Sequence, residues 1–496
     1  MDTGGSLQFD AVPVPTPPGG PLAVELVPAP DPWTVARKLA PLTCLFFLDS
    51  AEKHAERGRY SYVAANPYKI STGPGNDPGR FARPAAQPCD GHFGLGRPAW
   101  VGSVATAPDL PPFQGGLGGV FGYGLLREQE PQVPASRWDE FRQPLVSYAM
   151  YDWVVSFDHA QNRAWVVSTG CGERRSADRA AARLTDVIGR LRAPGFLQPR
   201  PIPRLNPVAA SDLCPQFPLP DCPGVTSNFD RAGYEAAVRR VVEYIHAGDC
   251  FQVNLSQRLL APLREHPFEL YGRLRHLNPA PFGAYFDALA FQVLSASPER
   301  FLRAHPDGRI ETRPIKGTRP RGKTAEADAA FARDLASSPK DRAENVMIVD
   351  LLRNDIGKVA EFGSVTVPRV CEVESFRYVH HLVSEVRGRL RPGVGALDLL
   401  AAAFPGGSVT GAPKVRAMEI IAELEPTARG PYCGCLGWVG FNGAMDTNIL
   451  IRTFTAGRGW VQFPVGGGIV ADSDPAREYE ETLHKAAGLL RALEPQ

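Results

Sequence analysis

The sequence predicts an α/β (α+β) protein in two lobes, and three observations carry that prediction. Helix-period segments interleave with short runs of β-branched and aromatic residues. A proline-rich stretch over 193–226, from Pro194 to Pro223, leaves no room for a helix or a central strand. No strand–GxGxxG–helix unit occurs, which excludes a Rossmann domain. The expected organisation is a disordered leader over 1–20, an N-terminal lobe over 21–192, a linker over 193–226 and a C-terminal lobe over 227–496.

In the N-terminal lobe, Cys44–Leu48, Tyr60–Ala64, Tyr148–Phe157 and Arg163–Ser168 read as strands bounded by turns. Residues 73–90 are dense in Gly, Pro and Asp and read as a loop. The run Gly115-Gly-Leu-Gly-Gly119 matches no phosphate-loop pattern, so close backbone packing at a bend explains it better. Ser176–Leu191 reads as a helix. The C-terminal lobe opens with a helix capped by Ser227 or Asp230, with Tyr234, Val238, Val241, Val242 and Ile245 at helical spacing. Phe251–Ser256 alternates like a strand. Ser338-Pro339, a cap followed by an N1 proline, starts a second helix, and Pro475 to about Leu493 forms a third.

The bulk numbers narrow the function. The 54 Lys+Arg nearly balance the 53 Asp+Glu, which argues against a general nucleic-acid or anionic-membrane binder. No apolar run reaches the roughly 18 residues of a membrane span, and Met1–Gly20 lacks the basic and apolar regions of a secretory signal. Nine scattered cysteines without a CxxC read as small buried thiols of a reducing compartment, so a cytoplasmic protein is expected.

Several residues could carry chemistry. Glu344 lies in a helix otherwise apolar toward Met347, Ile348 and Leu351. Glu478, Glu481 and Lys485 share one helix face at i, i+3 and i+7. On spacing alone a solvated face is the plainer account; the functional one is a set of carboxylates holding Mg²⁺ through its waters. Arg452 ends an apolar strand and offers a bidentate fork, Gly466-Gly467-Gly468 can expose a nest of N–H groups, and Ser408–Lys414 looks like a loop leading into a helix N-terminus. Each has a plain structural explanation; together they are the donors a small anionic substrate requires. Of His380 and His381, one is expected to face the core and one outward. Glu299 in Ser297-Pro-Glu-Arg300 is either an acid–base group or a turn carboxylate. Lys316, in Arg313-Pro-Ile-Lys-Gly-Thr-Arg-Pro-Arg321, is a nucleophile only if burial or nearby cations keep its amine partly neutral; otherwise it belongs to a solvated basic loop.

These motifs also form an ordered series: Glu243–Arg258, Ser297-Pro-Glu299, Pro314–Gly322, Glu344 with Val349–Asp355, His381-Leu-Val-Ser384, Phe404–Lys414, Asp446–Arg452, Gly466–Ser473 and Glu481–Lys485. In that order the chain resembles the chorismate-utilising enzymes over roughly 227–492, and more weakly over its N-terminal lobe. The resemblance implies a large sandwich of two opposed mixed β-sheets flanked by helices. It implies a Mg²⁺-dependent enzyme of chorismate, with 227–496 as the catalytic domain. By position, Glu344, Glu481 and Glu478 match metal-site acids. Tyr432, Arg452, Gly466, Gly468 and Lys485 match residues that hold the substrate carboxylates, and Thr410 and Gly411 lie near the ring. His381 matches the histidine beside the leaving hydroxyl, and Glu299 a general acid–base. A lysine at position 316 looks like the aminodeoxychorismate-forming branch, which serves p-aminobenzoate and folate synthesis; the anthranilate-forming branch has alanine there. No Gly-x-Cys-x-Gly elbow is present, so ammonia is expected from a separate glutamine amidotransferase subunit. Relatives bind tryptophan near Leu-Leu-Glu-Ser, which here reads Phe47-Leu-Asp-Ser50 and makes Ser50 a candidate tryptophan-site residue.

Overall fold

Two antiparallel sheets stack face to face, with helices on both outer sides, in the computed structural model. Residues 6–52, 57–73, 100–102, 104–203, 205–376 and 379–494 are described. The expected loop over 73–90 lies outside them from residue 74 onward, as do residues 1–5 of the expected leader. Every ladder joining named strands of the two sheets is antiparallel, a narrower arrangement than the mixed sheets expected.

The larger sheet has 14 strands among the described residues, and its centre runs Phe46–Asp49, Phe282–Asp287, Gln292–Ser297, Thr453–Gly457, Trp460–Ile469, Gln252–Pro262. The smaller has ten, running from Ile315–Pro320 through Val379–Arg389, Arg309–Thr312, Arg300–Ala304, Met445–Ile449 and Cys435–Gly440 to Gly116–Phe121 and beyond. Strands from both sides of the proline-rich stretch share each sheet: Phe46–Asp49 pairs with Phe282–Asp287, and Gly116–Phe121 with Cys435–Gly440. The stretch itself carries only one short 3₁₀ turn and two two-residue strands, Phe217–Pro218 and Thr226–Ser227.

Aromatic residues fill the space between the sheets. Phe46 stacks on Tyr151 of the facing sheet at 5.6 Å and meets Phe286 edge-on. Gly118 is required there, because a Cβ would lie 2.7 Å from the Phe46 ring. The glycine run is thus close packing, but within a strand rather than at a bend. The helices Ala177–Arg192, Pro267–Leu277 and Pro475–Leu493 cover the outer face of the larger sheet; Pro339–Gly357 and Ala396–Ala403 cover the smaller. Asp230 and Ser338 cap their helices as the sequence suggests, Asp230 accepting from Gly233 N at 2.8 Å.

Two expectations fail. Asp10–Val14, inside the expected leader, is an edge strand paired with Leu22–Val27 and anchored by the buried Phe9. Prolines suggested an unstructured segment, but an edge strand tolerates Pro13. The run 148–157 is two strands, Val146–Tyr151 in the smaller sheet and Trp153–Asp158 in the larger. The chain changes sheet at Asp152, whose fully buried carboxylate accepts from Arg179 at 2.9 Å and Arg183 at 3.3 Å. Both halves are apolar, so the residue pattern does not reveal the crossing.

Candidate active site

Lys316 sits on the edge strand Ile315–Pro320, where the pairing with Val379–Arg389 shifts register between Ile315 and Thr318. Gly317 takes φ +82° at this irregularity, and a Cβ there would lie 2.9 Å from Asp341 Oδ1. A register shift re-aims a side chain, and here it sends Lys316 into the protein. Its Nζ lies 3.5 Å from Ser408 O. Burial lowers its pKa; Glu344, Glu299 and Glu481 oppose that, and Lys485 adds to it. Five groups from four segments therefore face one cleft.

Glu299 follows the strand Gln292–Ser297 and is 6% exposed. Its Oε1 accepts from Ser408 Oγ at 2.8 Å, and its main chain is pinned by Ser297 Oγ and Ile449 N. Burial pushes its carboxyl up to about 7, against the lowering effects of Ser408, Lys316 and Arg57. His381 shares a hydrogen bond with Thr318 Oγ1 through Nδ1 at 2.9 Å. Burial and the nearby Arg57 and Arg452 cations lower its pKa to about 4, so its ring is neutral. The neighbouring His380 faces the other way, buried between Ser375 and Asp328.

The second wall holds the acids. Glu344 projects from Pro339–Gly357; burial raises its pKa and Lys316 and Lys340 lower it. Glu478 and Glu481 come from Pro475–Leu493. Glu478 is buried and accepts from Ser473 Oγ at 2.6 Å, while Glu481 pairs with Lys485 at 2.6 Å. Burial raises Glu478, and Glu481 adds to that; in Glu481 burial is outweighed by Lys485, Lys316 and Lys340, and its pKa falls. Gly467 lies beneath them: a Cβ there would be 3.2 Å from Glu478 Oε2, 3.4 Å from Glu481 Oε1 and 3.7 Å from Lys485 Nζ. Lys485 also donates to Gly466 O at 2.9 Å. The three glycines are the end of the strand Trp460–Ile469, paired to Gln252–Pro262. Among the described residues no three His, Cys, Asp or Glu side chains form a closed metal cage.

Thr410 and Gly411 border the same strand: Asn254 N donates to Thr410 O at 2.7 Å, and Gly411 takes φ +146° against Gln252 O. Arg452 adopts left-handed backbone at φ +52°, and its exposed side chain acts electrostatically on both Tyr432 and His381. Ser50 lies elsewhere. It lines a cavity of about 330 Å³ with Phe282, Arg300, Trp438 and Asn448, and donates to Tyr60 O at 2.7 Å. The adjoining Asp49 is buried against Arg275 at 2.6 Å.

Two residues escaped the sequence reading. Arg57, from the N-terminal segment, is 2% exposed, pairs with Glu374 at 2.7 Å and acts on both Glu299 and His381. Gln252 is fully buried beside Gly468, with its amide Nε2 and Oε1 unpaired. Nothing in the sequence around Arg57 signals that role; Gln252 stood in a motif that the strand pattern alone accounted for.

The chain matches the model of the family described as chorismate binding enzyme over residues 85–491. It is 45% identical over 396 residues to an anthranilate synthase component 1 of Thermus thermophilus, covering 78% of this chain and 79% of that one. It is 46% identical over 383 residues to an aminodeoxychorismate synthase component 1 of Klebsiella aerogenes, covering 77% and 78%. The crystal structure of anthranilate synthase component I from Streptococcus pneumoniae superposes with a TM-score of 0.69 at 31% identity, over 89% of this chain and 93% of that one. A match across most of the chain, joined to a cleft of lysines, acids and anion donors, makes this protein a member of the chorismate-binding enzyme family.

Proposed function

We propose that this enzyme forms 4-amino-4-deoxychorismate from chorismate and ammonia, as an aminodeoxychorismate synthase component I in a p-aminobenzoate and folate route. The observation that carries the reading is Lys316, half-buried in the cleft beside Ser408, with its pKa lowered by desolvation and under the electrostatic influence of Glu344, Lys485 and Glu299. A desolvated amine is neutral often enough to be a nucleophile. In the proposed course, Lys316 Nζ bonds to C2 of the ring, the double bonds shift, and the C4 hydroxyl departs. Glu299, which holds its proton up to about 7, supplies the proton that leaves with it as water. Neutral His381 orients that hydroxyl by hydrogen bonding. Ammonia then bonds to C4, the double bonds return, and the lysine leaves C2. Arg452, Lys485, Tyr432 and the backbone at Gly466, Gly468, Thr410 and Gly411 hold the two substrate carboxylates and the ring.

The acid set suits Mg²⁺. Glu344, Glu478 and Glu481 are hard oxygen donors of the kind Mg²⁺ takes one or two of, and Glu478 and Glu481 come together over Gly467. When bound, Mg²⁺ would neutralise a substrate carboxylate. Ammonia is assigned to a separate glutamine amidotransferase subunit, and both similar relatives carry the name component 1. The 330 Å³ cavity at Ser50 is assigned to tryptophan, which titration of intrinsic fluorescence with tryptophan would test. A cytoplasmic location belongs to the same reading, on the balanced charge and scattered cysteines of the sequence.

The alternative is anthranilate formation, favoured by the name of the Thermus relative. Chorismate, Mg²⁺ and an ammonium salt should give a product that becomes p-aminobenzoate only after an aminodeoxychorismate lyase is added. Fluorescent anthranilate without lyase would overturn the assignment. Lys316→Ala should lower aminodeoxychorismate output at least a hundredfold while chorismate still binds; unchanged output removes the lysine from the chemistry.

A further inference from the structure

Three strands of the smaller sheet carry arginines on one face. Ile310 packs against the covering helix Pro339–Gly357, and a Cβ on Gly388 would lie 3.2 Å from Ile356 of that helix. Arg309, Glu311, Arg387 and Arg389 alternate with them and so point the other way. Two rows of cross-strand neighbours run over that face. The first row is Asp446, Arg303, Glu311 and Arg387, in which charges alternate in sign. The second is Arg309 directly opposite Arg389, with His305 joined to Arg309 by a main-chain hydrogen bond. It contains no acid.

Like charges placed directly opposite destabilise a sheet, and neighbouring acids cancel little of it here. Glu311 is already shared by Arg300 at 2.9 Å, Arg303 at 3.7 Å and Arg313 at 3.9 Å. Arg387 is taken by Glu385 at 2.5 Å. Asp307 pairs with Arg309 at 2.7 Å, but both side chains are at least half exposed, so water screens the pair. Arg389 reaches only the carbonyl of Asp307, at 2.9 Å. Arg303, His305, Arg309, Arg387 and Arg389 then line a cavity of about 390 Å³ together with Ser364 and with Glu311, whose carboxylate is held by Arg300. We infer that this cavity is a binding site for a small oxyanion of two or more negative charges, a phosphate or a polycarboxylate, held between Arg309 and Arg389. Guanidinium forks match carboxylate and phosphate oxygens alike. The site is distinct from the catalytic cleft, although the strand Val379–Arg389 carries His381 at its other end.

The test is calorimetric titration of the full chain with pyrophosphate and, separately, with citrate, at fixed ionic strength set by sodium chloride. One of the two should bind with a one-to-one stoichiometry, and the tighter names the class. Arg309→Gln and Arg389→Gln should each weaken that binding at least tenfold, while Arg452→Ala, in the cleft, should leave it unchanged. Each variant's ligand-induced rise in unfolding temperature, read against its own ion-free midpoint, separates lost binding from a damaged fold. The proposal fails if neither anion binds better than chloride, if both arginine variants still bind, or if Arg452→Ala abolishes the signal.

Discussion

Glu299 and His381 face one cleft with opposite proton preferences. Burial raises Glu299 from about 4.5 to about 7, so the folded chain holds that proton more tightly than the unfolded chain does. The resulting stabilisation is complete below the ordinary carboxylate range and is lost as pH rises through about 7. His381 runs the other way: its value falls from about 6.5 to about 4, and its contribution is lost as pH falls through that window. The two trends partly cancel in the native enzyme, so single variants are needed to see them. The stability of the native enzyme relative to Glu299→Gln should fall by on the order of 3 kcal/mol between pH 4.5 and 7, at about 1.4 kcal/mol per pH unit. Urea unfolding at set pH values measures this; parallel pH profiles would show that Glu299 is not the group responsible. Of these residues the sequence named Glu299, His381 and Lys316 but could not weigh them. Ser408 bonds Lys316 and Glu299, Thr318 bonds His381, and Arg57 acts on His381, each from a segment distant from the residue it meets.

At the scale of elements, the strand Trp460–Ile469 and the helix Pro475–Leu493 build the acid wall together. Gly467 lets the strand pass under Glu478 and Glu481, and a Cβ already touches both. Gly467→Val should push the carboxylates apart and raise the Mg²⁺ concentration needed for half-maximal turnover about tenfold or more, with little change in the unfolding midpoint. Glu344→Gln should also weaken Mg²⁺ dependence, with activity recovering in excess Mg²⁺; an unaltered Mg²⁺ titration in either variant counts against the assigned metal site. The face shared by Glu478, Glu481 and Lys485 was legible from i, i+3 and i+7 spacing, and the helix spans Pro475–Leu493 as read. Less legible was the double strand around Asp152. An apolar run records that a segment is buried, not which sheet buries it.

At the scale of the whole molecule, the chain belongs to the chorismate-binding enzymes and its sequence has no Gly-x-Cys-x-Gly elbow. Cys433 and Cys435 are buried, and desolvation pushes the Cys433 thiol up to about 12, far from a reactive thiolate. The isolated chain should therefore turn over chorismate with ammonium salts and not with glutamine, and an added amidotransferase subunit should restore glutamine use. Coupled product assays decide this, and glutamine-supported turnover by the chain alone would refute it. The sequence by itself determined the family, the order of the motifs, the capped helices and most of the candidate site residues, because periodicity, caps and motif order are local properties. Only the tertiary structure decided that residues on both sides of the proline-rich stretch share two sheets, and that Arg57 reaches the cleft. It also brought Lys316 beside Ser408 and under the electrostatic influence of Glu344, Lys485 and Glu299. Strand pairing and desolvation depend on contacts between segments hundreds of residues apart, and no local pattern encodes them.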